Sequence, residues 1–117
     1  MSRKPPAFLF YPDSWVLGTA NLSLLEQGIY LRLLCYQWAH GPFNFDQASP
    51  KHMLKACLLA SNKHVLEHVL RVLKLKFETD GTRYWNARLE EERLRAQVRG
   101  ERAKKSGRHA VGAAENG

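Results

Sequence analysis

From Leu22 to Gly41 the apolar positions recur three and four residues apart. Leu25, Ile29, Leu33 and Tyr36 make one row, and Tyr30, Leu34 and Trp38 a second beside it, which predicts a helix with a wide buried face. Ser23 opens it with a capping box: its hydroxyl accepts from the N–H of Glu26, whose carboxylate reaches back to the N–H of Ser23. Gly28 costs about 1 kcal/mol in a helix interior relative to alanine. That cost predicts a second backbone or an aromatic ring packed closely against it. Gly41-Pro42 ends the helix.

Upstream, AFLFY at residues 7–11 reads as a short strand or extended segment laid across the core, and Pro12-Asp13 as a turn. Downstream, PFNFD alternates and predicts one short strand. Ser49-Pro50 supplies an N-cap and a first-turn proline for a helix over about 50–60 that buries Met53, Leu54, Cys57 and Leu58. After a break at Ser61-Asn62, a third helix is expected to about Leu73, with Val65, Leu66, Val69, Leu70 and Leu73 inward. Its outer face carries Lys63, His64, Glu67, His68, Arg71 and Lys74. Residues 76–79 and 83–86 flank Asp80-Gly81, a hairpin signal. Phe77, Tyr84 and Trp85 alternate there, so at least one ring turns inward, with Trp85 the one assigned to the core. From Ala87 a helix begins with acids in its first turn and bases later, as the helix dipole favours.

Helix, short strand, helix, helix, hairpin is the order of a winged helix-turn-helix. The fold class expected is therefore mostly α (α+β): a three-helix core, a two-stranded wing and a C-terminal helix. The domain is expected over 7–98. Residues 99–117 are expected to be a basic, disordered tail, since no apolar periodicity continues past Val98.

Composition narrows the function classes. The chain has 117 residues, 44% of them hydrophobic, enough for one domain with a core. No run reaches the roughly 18–20 apolar residues of a membrane span. MSRKPPAFLF has too short an apolar patch for a signal peptide, so a cytoplasmic protein is expected. Cys35 and Cys57, without a CxxC pair, read as buried thiols. The net charge of +7 favours a polyanionic partner. The excess is concentrated between Arg93 and Arg108, where seven basic residues (Arg93, Arg95, Arg99, Arg102, Lys104, Lys105, Arg108) face one acid, Glu101.

A family resemblance sits on the first half of the chain. YPDSW at Tyr11–Trp15, LSLLEQGIYLRLLCYQW at Leu22–Trp38 and the following Gly41-Pro42, with a later LKF into a hairpin and NARLEEE, together resemble the YdaU-like phage and prophage family, a domain of unknown function. Tyr11, Asp13, Ser14, Trp15, Leu22, Ser23, Glu26, Gly28, Tyr30, Leu33, Leu34, Trp38, Gly41 and Pro42 fall on or beside its pattern, and the likeness extends over about 8–95. The resemblance implies a winged-helix domain at the front of phage replication-initiation or helicase-loading proteins, and hence a bacterial host cell. Longer members continue into a second region, so this sequence is expected to lack a helicase-loading segment. Where many members carry a tryptophan at the start of the third helix, this chain has Asn62-Lys63-His64-Val65. No base-reading residue is transferred by the resemblance, and its signature positions are mostly core.

The candidate DNA-binding residues are therefore those of the third helix (Lys63, His64, His68, Arg71, Lys74), the wing (Lys76, Arg83) and the tail (Arg95, Arg99, Arg102, Lys104, Lys105). Long donors on a helix reach base edges in a major groove, and basic residues elsewhere hold phosphates. The other reading of each is a solvated polar face. His64 and His68 have a zinc-compatible i, i+4 spacing, but with no third ligand in view no metal is expected. Without GxSxG, HExxH or a phosphate-cradling glycine loop, neither catalysis nor a cofactor is expected. The expected function is that of a phage winged-helix protein binding duplex DNA in replication initiation or its regulation. The alternative is a protein-interaction module, an adaptor or inhibitor docking on a host or phage replication or defence protein, or a homodimerising unit.

Overall fold

A computed structural model describes residues 7–46 and 50–114, with side chains as far as Glu101. In chain order the elements are α1 (Pro12–Gly18), α2 (Leu24–His40), β1 (Phe43–Asn44), α3 (Lys51–Ala56), α4 (Lys63–Lys76), β2 (Glu78–Thr79), β3 (Arg83–Trp85) and α5 (Ala87–Ala114). Among the described residues this is an α+β fold of five helices and one antiparallel sheet, in the strand order β1-β3-β2.

Helix α2 is the spine. Its capping box forms, with Glu26 N donating to Ser23 Oγ at 3.2 Å and Ser23 N to Glu26 Oε1 at 3.0 Å. Ile29, Leu33, Leu34 and Trp38 are buried against Val65, Val69, Val72 and Leu73 of α4 and Leu89 of α5 in a single core. An aromatic chain crosses that core. Phe10 contacts Trp15, Trp15 stacks on Tyr30 at 5.2 Å and 13°, Tyr30 meets Phe77 edge-on, and Phe77 meets Phe43. Such tilted and edge-on pairs add about 0.5–1.5 kcal/mol each beyond burial. They explain why α2 spends tyrosine positions along its length.

The chain leaves α2 through Gly41, whose φ of +83° suits glycine. A Cβ there would stand 3.0 Å from the Arg93 guanidinium. β1 then pairs with β3, Phe43 opposite Tyr84, and β2 closes the other edge, Thr79 opposite Tyr84. The Asp80-Gly81 turn is held by the Asp80 carboxylate, which accepts from the N–H groups of Thr82 and Arg83. Those bonds lower its pKa. Tyr84 packs against the core, whereas Trp85, assigned there by alternation, is half-buried.

Several expectations change. Residues 7–10 form no strand; Phe8 packs on Trp38 and Leu9 N–H donates to Glu92. Pro12 does not make a turn but opens α1, because a first-turn proline starts helices as readily as it bends loops. Leu25 and Cys35 are exposed on α2; only Cys57 is a buried thiol, and burial raises its pKa to about 11. Among the described residues nothing lies within 4 Å of a Cβ built on Gly28, so none of them supplies the close packing expected there. Helix α3 is shorter than its pattern, and Leu58, expected inside, is 78% exposed with φ +57° in the turn after it. Ser49, the expected cap, lies outside the described residues. Helix α4 runs on to Lys76 and buries Val72. Helix α5 passes through the expected domain boundary at 98 and on to Ala114.

Candidate nucleic-acid interface

Helix α4 begins at Asn62, whose side chain accepts from the N–H of Val65 at 2.9 Å. Its valines and Leu73 lock one face against α2 and leave the polar face outward. Part of that polar face is already engaged within the chain. Glu26, on the first turn of α2, is 2% exposed and lies under two α4 side chains. His68 Nδ1–H donates to its Oε2 at 2.6 Å, and Arg71 donates to its Oε1 and, at 3.1 Å, to the carbonyl of Asn21. Burial alone would raise the Glu26 carboxyl. The bonds from His68 and the Ser23 N–H, with the charge of Arg71, outweigh it and hold the pKa below its ordinary value. Two of the five α4 candidates therefore serve first as partners of a covered carboxylate.

The remaining α4 candidates, Lys63, His64 and Lys74, are exposed, and no ion pair of Lys63 or Lys74 occurs among the described residues. His64 stands edge-on to His68 with ring centres 4.7 Å apart. Lys76 turns back and donates to the carbonyl of Gly18, tying α4 to the end of α1. At the hairpin Arg83 is exposed, 3.6 Å from Asp80, a distance and exposure at which an ion pair contributes little. Among the described residues no group of three or more His, Cys, Asp or Glu is placed to hold a metal ion.

A second polar cluster fixes where the hairpin becomes α5. Gln37 of α2 is 0% exposed and spans both sides of Asn86. Its Nε2 donates to Asn86 O and to Glu90 Oε1, both at 3.1 Å, and its Oε1 accepts from Asn86 N at 2.7 Å. The Asn86 side chain in turn caps α5 by accepting from Leu89 N, and donates to Tyr30 Oη and to Lys76 O. Burial pushes the Tyr30 pKa up against the opposing Asn86 bond and Arg88 charge. Arg93 grips Glu90 through two bonds of 3.0 and 2.7 Å. Burial would raise Glu90 too, but Arg93 and Gln37 bring its pKa below the ordinary value.

This clamp fixes the start of α5, whose Leu89 is buried in the core and which is about 42 Å long at 1.5 Å per residue. At 100° per residue, positions 88, 95, 99 and 102 fall within about 60° of one another on its surface. Arg88 lies over the Tyr11 ring at 4.8 Å, Arg95 makes a loose exposed pair with Glu91 at 3.4 Å, and Arg99 is exposed. Positions 102, 104 and 105 belong to α5, their side chains outside those described. Two exposed α3 cations, Lys51 and Lys55, add to the candidates. Sequence reasoning passed over them because it placed the DNA contacts on the third helix, the wing and the tail, although the inward set Met53, Leu54 and Cys57 leaves both lysines outward.

No protein-family model, no curated protein and no solved structure matches this chain. Among the described residues no helix is long and apolar enough to cross a membrane.

Proposed function

We propose that the segment α2-β1-α3-α4-β2-β3 is a winged helix-turn-helix that binds duplex DNA, in a phage or prophage protein of replication initiation or its regulation. The observation that carries this reading is topological. A short strand after the first long helix joins the far side of a terminal hairpin, giving β1-β3-β2, with two further helices between. Lys63 and Lys74 on α4, Arg83 at the hairpin and the arginine side of α5 are its cationic surfaces. Phosphate contacts by the hairpin and α5 supply most of the affinity, and α4 supplies any base contact. His68 and Arg71 contribute less than their place on α4 suggests, because DNA must compete with Glu26 for them.

The test is fluorescence anisotropy with labelled duplex and single-stranded DNA across a salt series. It compares the full chain, a K63A/K74A pair, R83A, and a chain shortened after Gly100, which keeps the Arg93 and Arg95 ion pairs. Duplex binding by the full chain is expected, with the salt slope falling by about 0.9 per lost phosphate contact. Absence of binding at low salt overturns the reading. So does complete loss on shortening, which makes α5 a generic polycation.

A second reading, a protein-docking module, is favoured by one observation. Apolar side chains that a solitary domain would bury are exposed on α1 and at the start of α2, with Leu17 at 80% and Leu24 at 86%.

A further inference from the structure

Between residues 8–11, α1, α2 and the first turns of α5 lies a cleft of about 230 Å³. Its lining is rich in aromatic rings. Trp15 is stacked on Tyr30, Phe10 leans on Trp15 with ring centres 5.5 Å apart, and Tyr11 adds a fourth ring. Phe10 and Tyr11 remain 52% and 46% exposed, so ring surface is left open to a ligand. The polar groups of the lining are mostly donors. Tyr30 Oη accepts from Asn86, which leaves its own O–H to donate. Arg88 lies over the Tyr11 ring at 4.8 Å and makes no ion pair among the described residues, so its N–H groups are left for an anion. The one acid of the lining, Glu92, accepts from Leu9 N–H at 2.6 Å and ties the N-terminal segment to α5.

We infer that this cleft takes one unpaired base of single-stranded DNA, stacked on the open rings with its phosphate on Arg88. The inference rests on the nucleic-acid reading above, but it uses a different surface from α4 and the hairpin. Size, ring chemistry and charge point the same way. The volume falls below the roughly 300–1,000 Å³ of a drug-sized ligand site, which leaves room for a single flat ring system. Aromatic walls suit any base, because every base has a π-face, and the Tyr30 O–H supplies a donor for a base carbonyl. The charge then continues out of the cleft. Arg88 begins the row that Arg95 and Arg99 carry along the same side of α5, both exposed. A phosphate backbone leaving the cleft therefore meets further cations about 10.5 and 16.5 Å along the helix. An uncharged apolar ligand would leave that row unused.

The test is fluorescence anisotropy of the full chain at low salt with three labelled probes: an oligothymidine of about ten residues, an abasic deoxyribose-phosphate strand of the same length and charge, and a duplex. The oligothymidine is expected to bind about tenfold more tightly than the abasic strand, the effect of one stacked base. Phe10→Ala/Tyr11→Ala is expected to remove that preference with duplex binding and the circular dichroism spectrum unchanged, since neither ring belongs to the buried core. Lys63→Ala/Lys74→Ala is expected to weaken duplex binding and leave the preference intact. Equal binding of the two single strands by the unaltered chain overturns the inference, whatever the duplex does. So does a preference that survives Phe10→Ala/Tyr11→Ala, or an oligouridine ribonucleotide bound more tightly than the oligothymidine, which gives the cleft to RNA. A chain that fails to bind duplex yet keeps the preference overturns the α4 reading and supports this one.

Discussion

Two buried polar side chains on α2, Glu26 and Gln37, look alike in burial and differ in what they hold. Glu26 is charged and takes its partners from α4, 42 and 45 residues away. Gln37 is neutral and takes its partners from the hairpin's end and α5, 49 and 53 residues away. The partners of Glu26 reach out to solvent, Arg71 being half-exposed. Gln37 is sealed with both amide groups satisfied. The first arrangement engages two donors of the candidate interface, whereas the second fixes the start of the helix that carries Arg95, Arg99, Arg102, Lys104 and Lys105. A buried charge on this protein therefore tempers the candidate surface, and a buried amide anchors it.

The comparison breaks most visibly at Gln37. Gln37→Leu leaves the N–H of Asn86 and the Glu90 carboxylate short of partners inside the core. It is expected to cost about 3 kcal/mol, read as a lower urea midpoint at unchanged slope. A loss under about 1 kcal/mol would show that water replaces the amide. Glu26→Gln is expected to cost less, about 1–2 kcal/mol, because its partners regain solvent. The same variant sharpens the contrast. With His68 and Arg71 released, duplex binding at low salt should tighten and the salt slope steepen by about 0.9 for each new phosphate contact. Unchanged binding would mean that α4 does not face DNA through these residues.

Acid separates the two sites by degree. Both Glu26 and Glu90 titrate below their ordinary 4.5 in the folded chain. Their stabilisation is therefore complete above that value and is lost as pH falls through the lower folded values. Thermal melts should hold steady to about pH 5 and then decline, with a shallower decline in Glu26→Gln. The smallest effect belongs to the exposed face of the same helix. Gly28→Ala has room for its methyl group among the described residues and is expected to gain about 1 kcal/mol, read as a higher urea midpoint. A loss instead would place an unseen neighbour at that position.

What could be read in the sequence was local. The Ser23–Glu26 box, the exit at Gly41, the Asp80-Gly81 hairpin and the order of elements each depend on residues within a few positions of one another. Their hydrogen bonds and dihedral preferences act over that range. The expectations that failed depend on distance. Pro12 begins a helix whose Trp15 stacks on Tyr30 of α2, a partner its neighbours in the chain do not announce. Whether Leu58 lies inside was decided by where α3 stops. His68 and Arg71 were legible as polar donors on the outer side of α4, but nothing near them in the chain announces Glu26, and capping was a sufficient local reason for that glutamate. Periodicity alone thus determined that α2 is a helix with more apolar surface than one face needs. Only the tertiary structure decided which part of that surface the core takes, which cations are already engaged and which side of the helix remains open, because burial and pairing are settled by neighbours that the fold, not the chain, brings together.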